Sequence, residues 1–140
     1  MAEPKGTFIE KDIIKSKAYL NLGGIAPQLL TMVLYKRRMS EIKVGKGRKR
    51  RWICTNGDSL NITYPEMRRY GITQPRLTRA IDQLLEKGFI SLIHQGGGIK
   101  GDKSTYALSD KYRLWQPGIC FETRPREYVQ RGFRGKHKKK

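Results

Sequence analysis

The stretch GITQPRLTRAIDQLLEKGFISL, residues 71–92, constrains the fold more than any other part of the chain. Its apolar residues recur at the spacing of one helix face, and Thr73 and Lys87-Gly88 carry the usual signals for the start and the end of a helix. The apolar set consists of Leu77, Ala80, Ile81, Leu84 and Leu85. The pattern predicts an amphipathic helix from Thr73 to Lys87 that packs on a core through one face and leaves the other face polar.

The segments on both sides of this helix also carry clear signals. Residues 64–70, YPEMRRY, indicate a short helix with Pro and Glu in its first turn, and Gly71 is placed to end it. Residues 89–95 and 104–108 have the composition of strands, and the Gly-rich loop between them predicts a β-hairpin.

The region upstream of the short helix predicts two further elements. Residues 25–39 have apolar side chains at helical spacing, which predicts a first core helix. Asn56-Gly57 is a turn signal, and the alternation of Leu60 and Ile62 indicates a short strand.

A short helix, a Gly-Ile-Thr turn, a second amphipathic helix and a hairpin follow one another in the order of a helix-turn-helix with a wing. The sequence resembles the winged helix-turn-helix family, in particular the domains found in plasmid and phage replication initiators and related prokaryotic regulators. The residues that carry the resemblance are Leu22, Ala26, Leu30, Leu60-Asn61-Ile62-Thr63-Tyr64, Gly71-Ile72-Thr73, Arg76-Leu77-Thr78-Arg79-Ala80-Ile81, Leu84, Gly88-Phe89-Ile90 and Thr105-Tyr106-Ala107-Leu108-Ser109.

The resemblance implies an α+β fold with three core helices and a small antiparallel sheet that includes the wing. It also implies a role in replication initiation or in transcription control. On this basis residues 20–112 are expected to form the winged helix-turn-helix domain, residues 1–19 an N-terminal arm, and residues 113–140 a basic tail that is mostly extended or disordered.

The charge of the chain favours a polyanionic partner. Its 30 Lys and Arg residues against 12 Asp and Glu give a net charge of +18, for which nucleic acid is the first candidate and an anionic membrane surface the second. Residues 43–51 contain six basic residues and no acid, and residues 124–140 contain eight and one. These two segments are expected to be flexible basic arms that bind phosphates without reading sequence, although solubilising runs would have the same composition.

The polar face of the predicted helix 73–87 is the candidate reading surface, because Arg pairs with guanine and Gln with adenine in the major groove. The base-reading candidates are Gln74, Arg76, Thr78, Arg79 and Gln83. The candidates for contacts with the DNA backbone are Arg68, Arg69, Lys100, Lys103, Lys46, Arg48, Lys49, Arg50, Arg51, Arg124, Arg126, Arg131 and Arg134. The alternative interpretation is an ordinary solvated helix face with weak surface ion pairs.

Catalysis, metals and cofactors find no support in the sequence. His94 lies on a predicted strand and His137 in the Lys-rich tail, and no residues have the spacing of metal ligands or of a nucleophile with its base. Residues 96–101 match the glycine pattern of a dinucleotide-binding loop, but that loop needs a helix directly after it, and KSTYALS indicates a strand. We expect a non-enzymatic protein without metal or cofactor.

Five aromatic residues are expected in the core or at its edge, the alternative being that an exposed one stacks on a nucleobase. They are Trp52, Tyr70, Phe89, Tyr106 and Trp115.

The sequence thus predicts a cytoplasmic, nucleoid- or plasmid-associated protein that binds double-stranded DNA. An RNA-binding or ribosome-associated protein is the first alternative, since basic arms also suit structured RNA, and a protein-docking adaptor is the second. No membrane partner is expected, and the longest nearly apolar run, residues 29–35, is too short to cross a bilayer. A homodimer stays open, although no long free apolar stripe is present to form it.

Overall fold

The computed structural model describes residues 6–45, 47, 50–96 and 103–124. This part of the chain is an α+β fold with one hydrophobic core cluster. Its helices are α1 (Lys11–Lys15), α2 (Lys17–Leu20), α3 (Ala26–Tyr35), α4 (Tyr64–Arg68) and α5 (Gln74–Glu86). Its strands are β1 (Met39–Lys43), β2 (Arg50–Cys54), β3 (Leu60–Asn61), β4 (Ile90–His94) and β5 (Thr105–Leu108), followed by a 3₁₀ turn, Lys111–Leu114. No helix in these ranges is long and apolar enough to cross a membrane.

Helix α3 lies at the centre of the core and packs against α5. Its apolar stripe is buried, which confirms the predicted first core helix, but the helix ends at Tyr35 rather than at residue 39. The side chain of Asn56 explains this end, because it accepts the N–H of Arg38 at 2.8 Å and donates to the carbonyl of Lys36 at 3.1 Å. These bonds replace helical ones, and the chain turns into β1 at Met39.

The predicted hairpin forms with β4 and β5 in an antiparallel sheet of order β3-β5-β4. Tyr106 on the central strand is 1% exposed and lies opposite Leu60 on one side and Leu92 on the other. Because β5 begins at Thr105, a strand stands where a phosphate-binding loop would need a helix.

Part of the insertion expected to be flexible forms a second sheet. Strands β1 and β2 pair antiparallel, with Met39 opposite Cys54 and Lys43 opposite Arg50. Lys43, Arg50 and Arg51 therefore belong to strands, and the expectation of a flexible segment is wrong at these positions. The ladder of backbone hydrogen bonds between the two strands orders them despite their basic composition.

Residues expected to form an N-terminal arm belong to the folded body. Ile13 of α1 and Ala18 of α2 are buried in the core cluster. The guanidinium of Arg37 holds the segment before α1 by donating to Glu10 Oε2 and to the carbonyl of Phe8, both at 2.8 Å. The core thus includes residues that precede the domain boundary expected at residue 20.

The C-terminal segment, residues 115–124, also packs on the body, although a mostly extended or disordered tail was expected from residue 113. Trp115 is buried, and its Nε1 donates to the carbonyl of Ile119 at 2.8 Å. Phe121 is half-buried against the core cluster. The segment has no regular secondary structure beyond the 3₁₀ turn before it, so helical or strand periodicity could not reveal it. The remainder of the tail, residues 125–140, lies outside the described residues.

The aromatic residues divide into two groups. Phe89, Tyr106 and Trp115 are buried, as predicted. Trp52 and Tyr70 are 59% and 57% exposed, so their assignment to the core or its edge is wrong. Both lie where the chain leaves the core, Trp52 on β2 and Tyr70 in the turn after α4.

Candidate nucleic-acid interface

A tight turn joins α4 to α5. The N–H of Gly71 donates to the carbonyl of Arg68 at 3.0 Å, and Gly71 has a φ of +81° that glycine adopts readily. Met67 before the turn and Ile72 within it are buried, so the turn is held on the core. Thr73 precedes α5 in extended conformation, which sets the direction in which the longer helix begins.

The predicted helix 73–87 is confirmed. Helix α5 spans Gln74–Glu86 with Thr73 and Lys87 as its flanking residues, and all five members of its apolar stripe are buried. Burial of this stripe leaves the opposite side of α5 for other contacts. These contacts differ between the N-terminal and the C-terminal half of the helix.

The N-terminal half of α5 presents free polar side chains. Gln74, Arg76 and Arg79 are exposed, and none of their side chains makes a hydrogen bond or ion pair within the part of the chain that the structure describes. Arg76 and Arg79 are three residues apart and are therefore neighbours on one helix surface. Three of the five base-reading candidates are thus accessible, and two of them, Arg76 and Arg79, share one helix surface, whereas Gln74 lies on a different side of the helix.

Gln83, a fourth candidate, is engaged inside the protein. Its Oε1 accepts the N–H of Gly23 at 2.9 Å, and its Nε2 donates to the carbonyl of the same residue at 3.1 Å. Both polar ends of the side chain are used, and they connect α5 to the loop before α3. This arrangement assigns Gln83 a structural contact that its sequence position does not reveal.

Gln83→Ala should lower the free energy of unfolding by about 1–2 kcal/mol, because two partly exposed hydrogen bonds are lost. Chemical denaturation of the variant and the wild type would measure this difference. Sequence preference in DNA binding should stay unchanged. A changed preference with unchanged stability would contradict the structural role and restore Gln83 as a base reader.

The C-terminal segment lies along the other side of α5. The N–H of Phe121 donates to the carbonyl of Glu86 at 2.9 Å. Further along, Arg124 Nε donates to Asp82 Oδ1 at 2.9 Å, and Arg124 Nη2 donates to the carbonyl of Thr78 at 3.1 Å. Thr78, the fifth base-reading candidate, is half-buried at this contact. The segment therefore runs back from the end of α5 to its middle.

Arg124 also approaches the β4–β5 hairpin. Burial raises the pKa of the Tyr106 hydroxyl, and the nearby positive charge of Arg124 acts in the opposite direction. Glu122 Oε2 accepts the N–H of Leu92 on β4 at 2.9 Å. The C-terminal segment thus connects α5 to the hairpin, and its last described residue lies between the two.

The candidates for contacts with the DNA backbone have different surroundings. Arg68 and Arg69 are exposed at the end of α4, Lys103 is exposed just before β5, and Arg50 and Arg51 are exposed on β2. Arg124 is half-buried, and its guanidinium is bonded to α5 as described. The remaining candidates lie outside the described residues: Lys46, Arg48, Lys49, Lys100, Arg126, Arg131 and Arg134.

Among the side chains that the structure describes, no group of three or more His, Cys, Asp or Glu residues is arranged to hold a metal ion. Comparisons with protein-family models, with curated proteins and with solved structures find no match to this chain. The geometry and the charge of the chain are therefore what supports a functional assignment.

Proposed function

We propose that this protein is a winged helix-turn-helix protein that binds double-stranded DNA, with α5 as the recognition helix and the β4–β5 hairpin as the wing. The observation that carries the proposal is the N-terminal half of α5, where Arg76 and Arg79 are exposed one turn apart without partners in the described part of the chain. In a helix-turn-helix the first residues of the second helix reach base edges in the major groove. An Arg with free donors can bind O6 and N7 of guanine together.

The surroundings of α5 support phosphate contacts on both sides. Arg68 and Arg69 at the end of α4 precede the recognition helix, as expected for the helix that crosses the backbone, and Lys103 follows the wing loop. The net charge of +18 adds attraction that does not depend on sequence. The resemblance to initiators and regulators assigns the binding to plasmid- or phage-type replication initiation or transcription control in the cytoplasm.

Arg76→Ala should weaken binding to a preferred duplex by about 5-fold to 150-fold while random duplexes lose little, because a bidentate contact with guanine contributes about 1–3 kcal/mol. The preferred duplex would be selected from a random pool with the wild-type protein. Affinities for the selected and a scrambled duplex would then be measured at one salt concentration.

Arg69→Ala is the matched control, since it removes the same charge from an exposed site directly after α4. It should weaken both duplexes alike. Equal losses for Arg76→Ala on the two duplexes would contradict the base-reading role. Competition by duplex RNA as effective as that by the selected duplex DNA would instead favour the RNA-binding alternative.

A further inference from the structure

Strands β1 and β2 form a ribbon (Met39–Lys43 with Arg50–Cys54) that stands apart from the rest of the fold. Among the described elements, neither strand packs extensively on a helix or on the three-stranded sheet. The ribbon is attached at its base, where the N–H of Thr55 donates to the carbonyl of Arg38 at 2.9 Å. Two-stranded sheets without a third strand are only marginally stable in water. Because no described helix or third strand packs extensively on it, the ribbon is accessible to another molecule.

One face of the ribbon combines an aromatic ring with positive charge. Side chains of directly opposite residues, and of residues two apart on one strand, lie on the same face. Trp52 lies opposite Glu41, and the next pair toward the tip on this face is Lys43 with Arg50. The indole and the cationic pair are thus one row apart, about 7 Å along the strands.

The exposure of Trp52 has no explanation among the residues that the structure describes. Its side chain is 59% exposed, whereas the other tryptophan, Trp115, is 8% exposed and has its Nε1 hydrogen-bonded. Leaving a large aromatic ring in water forgoes the stabilisation that burial would give. The ring directly follows a segment of six Lys and Arg and no acid, residues 43–51. That charge selects a polyanion over an apolar protein surface as the partner.

We propose that this face of the ribbon binds single-stranded nucleic acid, with Trp52 stacked on an unpaired base and Lys43 and Arg50 on the adjoining phosphates. A base inside a duplex has both faces covered by its neighbours, so an indole can stack there only after two base pairs are separated, whereas an unpaired base offers its face directly. Glu41 lies opposite Trp52, and its carboxylate repels phosphate. The position beside Trp52 therefore favours a neutral base over a phosphate. Stacking of this kind tolerates any base sequence.

This site goes beyond the proposed duplex binding and uses other residues. The ribbon follows α3 in the chain, whereas the proposed base readers lie on α5, and the proposed phosphate contacts Arg68, Arg69 and Lys103 lie at the end of α4 and before β5. Loss of Trp52 should therefore leave the duplex preference unchanged, and loss of Arg76 should leave single-strand stacking unchanged. Each proposal can fail without the other.

Fluorescence can test the stacking directly, because the chain has only two tryptophans. In a Trp115→Phe variant, Trp52 is the sole indole, and addition of oligothymidylate should quench its emission. In the otherwise wild-type chain, Trp52→Ala should weaken binding of a labelled oligothymidylate by about 5-fold to 150-fold, measured by anisotropy. Trp52→Phe should retain most of the affinity, since phenyl also stacks. The Ala and Phe variants keep the assay valid even if Trp115→Phe does not fold.

Tyr35→Ala is the matched control, as it removes a 70% exposed aromatic residue at the end of α3. It should leave oligothymidylate affinity unchanged. The proposal is overturned if Trp52→Ala binds oligothymidylate as the wild type does. It is also overturned if Trp52 emission responds to duplex DNA or to phosphatidylglycerol vesicles but not to the single strand.

Discussion

Removal of residues 125–140 should weaken binding to duplex DNA on the order of a hundred-fold to a thousand-fold at low salt, with a smaller loss at high salt. The removed residues include seven Lys or Arg and one Glu. If all seven cations contact phosphates, the slope of log affinity against log salt concentration should decrease in magnitude by about six. Titrations of one duplex at several salt concentrations would measure the slope.

The truncation should keep Arg124, because its bonds to Asp82 and to the carbonyl of Thr78 belong to the folded body. A chain of full length in which the seven cations of residues 125–140 are replaced by Gln is the matched control and should behave like the truncated chain. Both should unfold at the temperature of the wild type. An unchanged salt slope would show that the tail does not take part in binding.

Gly88→Ala should lower the free energy of unfolding by about 2–5 kcal/mol, a large part of the roughly 5–15 kcal/mol that stabilises a typical domain. Gly88 ends α5 with a φ of +85°, which L-residues adopt only with strain. A Cβ atom there would lie 2.7 Å from Lys111 Cβ and 2.8 Å from the backbone nitrogen of Tyr112. The 3₁₀ turn would have to move, and with it the Tyr112 ring that stacks on Phe89 at 5.0 Å between centroids.

Gly71→Ala separates the two causes of the expected loss of stability, the strained backbone conformation and the close contact of the added Cβ atom. Gly71 has a similar φ of +81°, but a Cβ atom there would meet nothing within 4 Å. Its loss of stability should therefore be limited to the conformational strain, about 1–2 kcal/mol. Urea denaturation of both variants would provide the comparison. Equal losses for the two would contradict the close contact at Gly88.

The fold around α5 could be predicted because its signals are local. The 3.6-residue period of the buried stripe and the Lys87-Gly88 end lie within the helix and its flanking residues, and the structure places the helix at Gln74–Glu86. The β4–β5 hairpin follows the same rule, since alternation and the Gly-rich loop are adjacent in sequence.

The elements that escaped prediction depend on contacts between distant residues. The end of α3 is set by Asn56, 20 residues after Lys36. The C-terminal segment is held by Arg124 on Asp82, 42 residues earlier, and has no periodicity of its own. The ribbon was missed because its strands are mostly exposed, so the alternation of buried and exposed side chains that identifies a strand is weak.

The candidate site shows the same limit at the level of single side chains. In the amino-acid sequence, Arg76 and Gln83 look equally suited to read DNA bases. The difference between them is the backbone of Gly23, 60 residues away, which takes both hydrogen-bonding ends of Gln83. The sequence can therefore predict that a polar residue lies on a helix surface. It cannot predict whether the side chain is already hydrogen-bonded within the protein.

The contact between Glu122 and Leu92 has a consequence for self-association. Strand β4 is an outer strand of the three-stranded sheet, and an outer strand can pair with the same strand of another copy through its free N–H groups. The carboxylate of Glu122 occupies the N–H of Leu92 on β4, and the opposite outer strand, β3, is only two residues long. Pairing of another copy along β4 would therefore have to displace Glu122 from the N–H of Leu92, and β3 offers an edge of only two residues.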